Sequence, residues 1–318
     1  MTFSPIGIDI AKAKFDAAAL RNGKYKTKVF QNTPEGFRAF LAWLQAFPTP
    51  HVCLEATGRY GEGLALFLVD HGLAVSVVNP AQIHAFGQAE LSRTKTDKSD
   101  AKRIARFCLS QRPLLWQPPP PAVRPLQALV RRLESLLEMR QMEKNRLDGA
   151  DPTVRPSIEA VLATLDAEIA ATQTRIREHI DHDPDLRQRR DLLDTIPGLG
   201  DATIPVLLAA LGDVHRFENA RSVAAFAGLS PKEHQSGKWK GHTRLSKTGD
   251  ALLRKALYLP AIVARRHNPL IRAFCERLKA QGKNGKLIVG AAMRKLLVLA
   301  YGVLKSGRPF DPNHGLAS

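Results

Sequence analysis

Four acidic residues stand where an acid is costly, or are spaced so that they share a face. Asp9 lies in "IGIDIAK" (6–12), between Ile8 and Ile10, in a β-branched run that reads as a buried strand. A carboxylate in that setting must be paired or hold a cation. Glu55 ends a second apolar strand, "HVCLEA" (51–56). Asp97 and Asp100, in "RTKTDKSDAKRIARF" (93–107), are three apart and share a face on a helix. If the four converge, they make an all-oxygen site suited to Mg²⁺ or Mn²⁺. Two such ions can clamp the attacking and leaving oxygens of a phosphodiester. Taken singly, each acid has a plainer role. Asp9 could cap a turn or pair with a lysine, Glu55 could be an ordinary strand-end acid, and the last two could start a solvated helix.

The elements that must position these acids follow from the periodicity. Residues 5–20 and 24–31 read as two strands joined by a tight turn at "RNGK" (21–24). A helix follows over 34–47, with Thr33 as N-cap and Pro34 in its first position. Then come a strand at 51–56, a helix at 61–72 and a strand at 74–80. The order β-β-α-β-α-β predicts a mixed α/β domain over 1–116. "QPPPPAVRP" (117–125) is a proline-rich break that opens a linker region, 117–190. Two apolar stripes lie in it: Leu126, Leu129, Val130, Leu133, Leu136 and Leu137, then Ile158, Leu162, Leu165, Ile169, Thr172 and Ile176. They predict an antiparallel helical hairpin or coiled coil, serving as a spacer or an oligomerisation surface. A mainly helical domain is expected over 191–318.

The chain has 318 residues, enough for about two domains of roughly 150 residues each. No apolar run reaches the roughly 18 residues of a membrane span, and no basic-then-apolar leader precedes the first strand. The three cysteines, Cys53, Cys108 and Cys275, are few and far apart in the chain, which fits a cytoplasmic location and neither disulfides nor zinc. Net charge is +17, and residues 231–308 carry 18 Lys/Arg against 3 Asp/Glu. Such a segment usually meets a polyanion, with nucleic acid as the default partner. Within it, "SGKWKGHTRLSKTG" (236–249) reads as a loop or short hairpin. Lys238, Lys240, Arg244 and Lys247 could neutralise phosphates, and Trp239 could stack on a base or anchor packing. Arg254 follows in a helix expected over 251–266, and a basic amphipathic helix is expected over 284–305. "IPGLG" (196–200) is a hairpin turn that could offer backbone N–H groups to phosphate or simply join two helices.

The strand–strand–Glu–Asp-x-x-Asp layout resembles an RNase H/RuvC-like nuclease domain of the DEDD type. "LLDTIPGLGDATIPVLLAALGD" (192–213) and "RFENARSVAAFAGLSPKEHQSGKWKGHTRLSKTGDALLRKALYLPA" (216–261) resemble the C-terminal domain of the insertion sequence 110 family of transposases. The resemblance implies a DNA recombinase with Asp9, Glu55, Asp97 and Asp100 as catalytic metal ligands. It implies a family serine at Ser236, in "HQSGK", with Ser246 in "RLSKTG" as its nearest rival. It also implies donor and target DNA as substrates, a structured guide RNA and, with the apolar stripes, a dimer or tetramer. A metal-dependent junction nuclease using water would need the acids and no serine. An actin-like sugar kinase would need a second Asp-Gly-rich phosphate loop, which the sequence lacks. A non-enzymatic DNA-binding protein leaves the four acids unexplained.

Overall fold

The computed structural model describes residues 3–56, 60–89, 97–232, 235–236, 239–240 and 244–313. The chain divides into two compact units, Met1–Pro118 and Pro119–Ser318. The first is built on a five-stranded sheet of β1 (Ser4–Ile10), β2 (Lys14–Arg21), β3 (Lys24–Gln31), β4 (Pro50–Glu55) and β5 (Ala74–Val78), in the order β3-β2-β1-β4-β5. The first three strands are antiparallel, while β4 runs parallel to β1 and β5 parallel to β4. The single strand expected over 5–20 is therefore two strands. Ala11 N–H donates to Lys14 O at 2.9 Å, closing a reversal between the paired Ile10 and Phe15. No glycine or proline marks that turn, so the usual punctuation was missing. The next turn is as expected: Asn22 and Gly23 take φ of 49° and 74°, the left-handed pair that a two-residue hairpin requires.

Four helices complete this unit: α1 (Pro34–Leu44), α2 (Glu62–Asp70), α3 (Pro80–Ala89) and α4 (Asp97–Gln111). Thr33 caps α1, its side chain accepting the Gly36 N–H, with Pro34 opening the helix. The expected order lacks α3, because "AVSVVNP" reads as strand to its end. Instead Asn79 Oδ1 accepts the Ala81 N–H at 2.9 Å and Pro80 starts a helix. Strand alternation divides the sheet into two faces. Ile6, Ile8, Phe15, Ala17, Ala19, Val52 and Leu54 pack with Phe40 and Leu44 of α1 and with Leu64 and Leu68 of α2. Each fully buried large side chain there stabilises the fold by about 1.5–3 kcal/mol. The opposite face receives α4. A Cβ on Gly7 would lie 2.1 Å from Ala101 O, so the helix rests directly on β1. Cys53 and Cys108, distant in sequence, meet under α4 beside Ile104 and Phe107. Their mutual hydrogen bond, and then burial, push the Cys53 thiol up.

The second unit is helical. α5 (Val123–Leu147) pairs with α6 (Arg155–His182), burying Leu126, Val130 and Leu136 on one helix and Ile169, Thr172 and Ile176 on the other. α7 (Pro184–Asp194), α8 (Ile204–Leu211), α9 (Ala220–Phe226), α10 (Ala251–Ala256), α11 (Tyr258–His267), α12 (Pro269–Ala280) and α13 (Gly285–Ser306) follow. The one helix expected over 251–266 is broken at Leu257. Pro260 has no N–H for the Ala256 carbonyl, and its ring crowds that position. α13 is more deeply set than the amphipathic helix expected there. It is long and apolar enough to cross a membrane, yet 61% of its apolar window is buried, with Leu296, Leu297 and Ala300 in the unit's core. Between α9 and α10 lie four two-residue strands: β6 (Pro231–Lys232), β7 (Gln235–Ser236), β8 (Trp239–Lys240) and β9 (Arg244–Leu245).

Candidate active site

Strand parity and register bring the acids of the first unit to one end of one face. Asp9 is two residues beyond Gly7, so it shares the α4 side of β1. Ile8 pairs with Leu54, which sets Glu55 beside Asp9 on the adjacent parallel strand, again on the α4 side with Cys53. α4 runs against both strands. Its C-terminal end lies at their beginnings: the Arg112 guanidinium is 5.7 Å from the Phe3 ring centre, and Cys108 Sγ is 3.6 Å from His51 O. Its middle crosses Gly7 at Ala101 and Ala105. Asp9 lies about 6.6 Å further along β1. Four or five residues back along α4 cover a similar distance, about 6–7.5 Å, and reach the 97–100 turn. By these rises the helix starts toward the same end of the sheet as Asp9 and Glu55.

Asp100 is part-buried in this turn. Arg103 Nη1 is 2.9 Å from its Oδ1, an ion pair whose geometry is too bent for a hydrogen bond. Oδ1 and Arg103 Nε are both buried without a hydrogen bond. Arg103 is held over α3 where Gly87 leaves room; a Cβ there would be 2.9 Å from Nε. A buried carboxylate oxygen lacking a hydrogen bond is the kind of donor a hard divalent cation uses, and here it faces the Arg103 guanidinium. Among the described residues no three His, Cys, Asp or Glu side chains already form a cation cage. For Asp97 the structure describes the backbone, which opens α4.

Two residues of this end were missed in the sequence. Asp16 lies directly opposite Asp9 in the β1–β2 ladder, 7% exposed, with Lys14 Nζ at 3.8 Å from its Oδ2. Like charges opposed in a ladder are destabilising, so the pair needs positive charge nearby. Recognising the turn at 11–13 would have revealed it, since that turn sets residue 9 against residue 16. Asn32 is the second. Its Nδ2 donates to Ala11 O at 3.0 Å and to Tyr60 O at 3.1 Å, tying the segment after β1 to the segment after β4.

In the second unit, Ser236 pairs with Trp239, and Gln235 with Lys240, in the β7–β8 ladder. β6 pairs with β9, setting Lys232 against Arg244. The expected short hairpin is thus formed; Lys238 lies outside the described residues. Its base is firmly held. Ser246 N–H donates to Ser230 O at 2.9 Å and Lys247 N–H to Gly228 O at 3.2 Å. Lys247 is exposed with φ of 56°. A Cβ on Gly249, whose φ is 142°, would be 2.2 Å from Phe226 O. Leu245 packs on α13, where a Cβ on Gly290 would be 3.2 Å from its Cδ1. Arg254 Nη1 donates to Ala227 O at 3.0 Å, so its guanidinium also braces this base. The Ser246 hydroxyl accepts the Thr248 N–H at 3.2 Å, within a local turn. Beside the base runs a groove of about 580 Å³, lined by Arg254, Lys255, Tyr258, Leu259 and Met293. The Lys255 ammonium donates to the Glu134 carboxylate, which holds it above its ordinary range. The "IPGLG" turn is used for packing: a Cβ on Gly198 would be 2.6 Å from Ala264 Cβ, and Asn268 Nδ2 donates to Pro197 O at 3.4 Å.

Two transposase families match the chain. A DEDD family described as transposase covers residues 6–150, and the transposase IS116/IS110/IS902 family covers residues 190–276. The chain is 37% identical, over 98% of both proteins, to the pilin gene-inverting protein of Moraxella bovis. It is equally similar, over the same share, to the pilin gene-inverting protein of Moraxella lacunata. It is 22% identical to the transposase for insertion sequence element IS1111A of Coxiella burnetii, over 82% of this chain and 78% of that protein.

Proposed function

The chain belongs to the IS110 family of transposases, DNA recombinases, and we propose that it cuts and rejoins DNA strands through a composite site. Asp9, Glu55, Asp97 and Asp100 supply the metal-binding part, and Ser236 supplies the nucleophile. What supports this is the register that sets Asp9 beside Glu55 on the sheet face that α4 covers, with α4 starting toward the same end. The strand order, three antiparallel strands followed by two parallel ones, supports an RNase H/RuvC-like domain. The donor set fits Mg²⁺ or Mn²⁺, which when bound would stabilise negative charge developing on the phosphate.

A serine hydroxyl is a weak nucleophile and must be activated. In the proposed step Ser236 Oγ forms a bond to phosphorus, and the P–O bond to the departing deoxyribose breaks. The hydroxyl proton is given up to a base or solvent, and the leaving oxygen takes one. One phosphodiester replaces another, so rejoining needs no nucleotide cofactor. Engagement of Ser246 in its own turn favours Ser236 over that rival. The basic stretch 231–308, with Lys238, Trp239, Lys240, Arg244 and Lys247, would bind donor and target DNA and a structured guide RNA. Ile158, Leu162 and Leu165 remain only half-buried on α6, and Met142 is 50% exposed on α5, which supports assembly into a dimer or tetramer through this pair. Similarity to two pilin gene-inverting proteins favours inversion of a DNA segment as one outcome of the same chemistry.

The test uses DNA substrate with purified Ser236→Ala protein. Loss of both cutting and joining is expected. Continued cutting would make water the nucleophile and the protein a junction-type nuclease.

A further inference from the structure

α4 covers β1, β2 and β4; on the same face of the edge strand β3 it reaches Tyr25 and leaves Thr27 and Val29 exposed. Register puts Val29 opposite Asp16, Thr27 opposite Ala18 and Tyr25 opposite Leu20, so these three share the face that carries Asp9 and Asp16. Val29 is 44% exposed and Thr27 is exposed, although both lie beside a buried strand. Above this strip stand two cations of α4, one helical turn apart. Lys102 Nζ lies 5.4 Å from the Tyr25 ring centre, and Arg106 Nη1 donates to Tyr25 Oη at 3.1 Å. At the other end, Lys14 keeps 48% of its side chain exposed next to Asp16.

We propose that this strip is a shelf for the phosphodiester backbone of duplex DNA, leading from Tyr25, Lys102 and Arg106 to the carboxylates at Asp9 and Asp16. The shelf presupposes that those carboxylates act on a phosphodiester. From Tyr25 to Val29 it spans about 13 Å, or roughly four base-pair rises of a duplex. Its floor is flat backbone with small or β-branched side chains, and its wall is cationic. Tyr25 holds both cations by ring and hydroxyl, so they are oriented before any ligand arrives. The opposite edge face supplies an internal control. Lys26 and Lys28 alternate with the shelf residues and turn to the α1 side, over the rings of Phe47 and Phe30.

The experiment measures binding of the full chain to labelled duplex DNA, and to duplex RNA of equal length, across a salt series. For Lys102→Gln with Arg106→Gln, the slope of log affinity against log salt should shrink by about 1.8, because each lost phosphate contact removes about 0.9. The affinity lost between about 50 and 200 mM salt should then shrink roughly tenfold. Lys102→Gln alone, which gives up only a ring contact, should give half that change with unaltered thermal melting. Lys26→Gln with Lys28→Gln removes the same charge and should leave the slope as in wild type. A change in the DNA arm supports the shelf, and one confined to the RNA arm overturns it as a DNA site. An unchanged slope in the Lys102 and Arg106 variants, or an equal fall in the Lys26 and Lys28 variant, overturns the shelf. If the slope is unchanged while Asp9→Asn still abolishes cleavage, the shelf fails and the carboxylate site stands. If wild type shows no salt-dependent binding to either duplex, both fail.

Discussion

The acid-bearing end of the first unit and the serine-bearing segment of the second are held in contrasting ways. Asp9 and Glu55 ride on strands of seven and six residues, in a five-stranded sheet with a helix seated on it. Register alone sets their spacing, and a one-residue slip would turn both into the apolar core. Ser236 rides on a two-residue strand, paired with another of two residues. So short a ladder carries little stability of its own. What holds it is the base of the hairpin: the ladder at Ser230 and Ser246, Leu245 against α13, and Arg254 under Ala227. One half of the proposed site thus rests on a long strand register, and the other on a two-residue ladder beside a fixed base. That difference suits a nucleophile that must reach a strand and then release it.

The largest expected effect separates metal binding from DNA binding. Asp9→Asn should lower strand cleavage by about 10³-fold or more, as loss of a preorganised charge at a reacting phosphate does. DNA binding, followed by anisotropy, should be nearly unchanged. Full cleavage by this variant would remove the carboxylates from the chemistry. Next comes the seat of α4. Gly7→Val drives methyl groups into the Ala101 carbonyl and should destabilise the protein by about 3 kcal/mol, read by denaturant unfolding. Cleavage and joining should fall together, because the whole acid-bearing end shifts.

The root of the hairpin gives a smaller and more selective effect. Gly249→Ala places a Cβ against Phe226 O at a φ that suits only glycine, costing about 1–3 kcal/mol. It should slow the formation of joined product while carboxylate-dependent metal binding, followed by calorimetry, stays as in wild type. Loss of metal binding in Gly249→Ala would deny that the two halves are held independently. The smallest effect is expected at Asn32→Ala, which removes two side-chain hydrogen bonds linking the segments after β1 and β4. About 1 kcal/mol of stability and a few-fold loss of cleavage are expected, measured by melting and by a gel assay.

The same contrast governs what could be read from the chain. Asp9 and Glu55 were legible because an acid in an apolar strand conflicts with its surroundings, and such conflicts mark function. Thr33, Pro34 and the Asn22–Gly23 turn were legible because each residue type has a local geometric reason to be there. Asp16 was not, because the reversal at 11–13 carries no glycine or proline, so two strands read as one. The pairing of Lys102 and Arg106 with Tyr25 was not, because it joins residues about eighty positions apart through the sheet register. The break at Leu257 was marked by Pro260, yet the surrounding periodicity hid it. In the second unit, Ser236 was singled out by family resemblance and not by its own surroundings, since an isolated Ser-Gly carries little information.

The central claim, that a hydroxyl of the hairpin attacks a phosphodiester beside a carboxylate-held metal, predicts a covalent intermediate. The most direct measurement traps the reaction on DNA in the presence of Mg²⁺ and guide RNA, digests the protein, and maps any nucleotide adduct by mass spectrometry. The account predicts a phosphoserine linkage at Ser236, absent from Asp9→Asn. An adduct at Ser246, or rejoined product accumulating with no protein adduct at all, would contradict it.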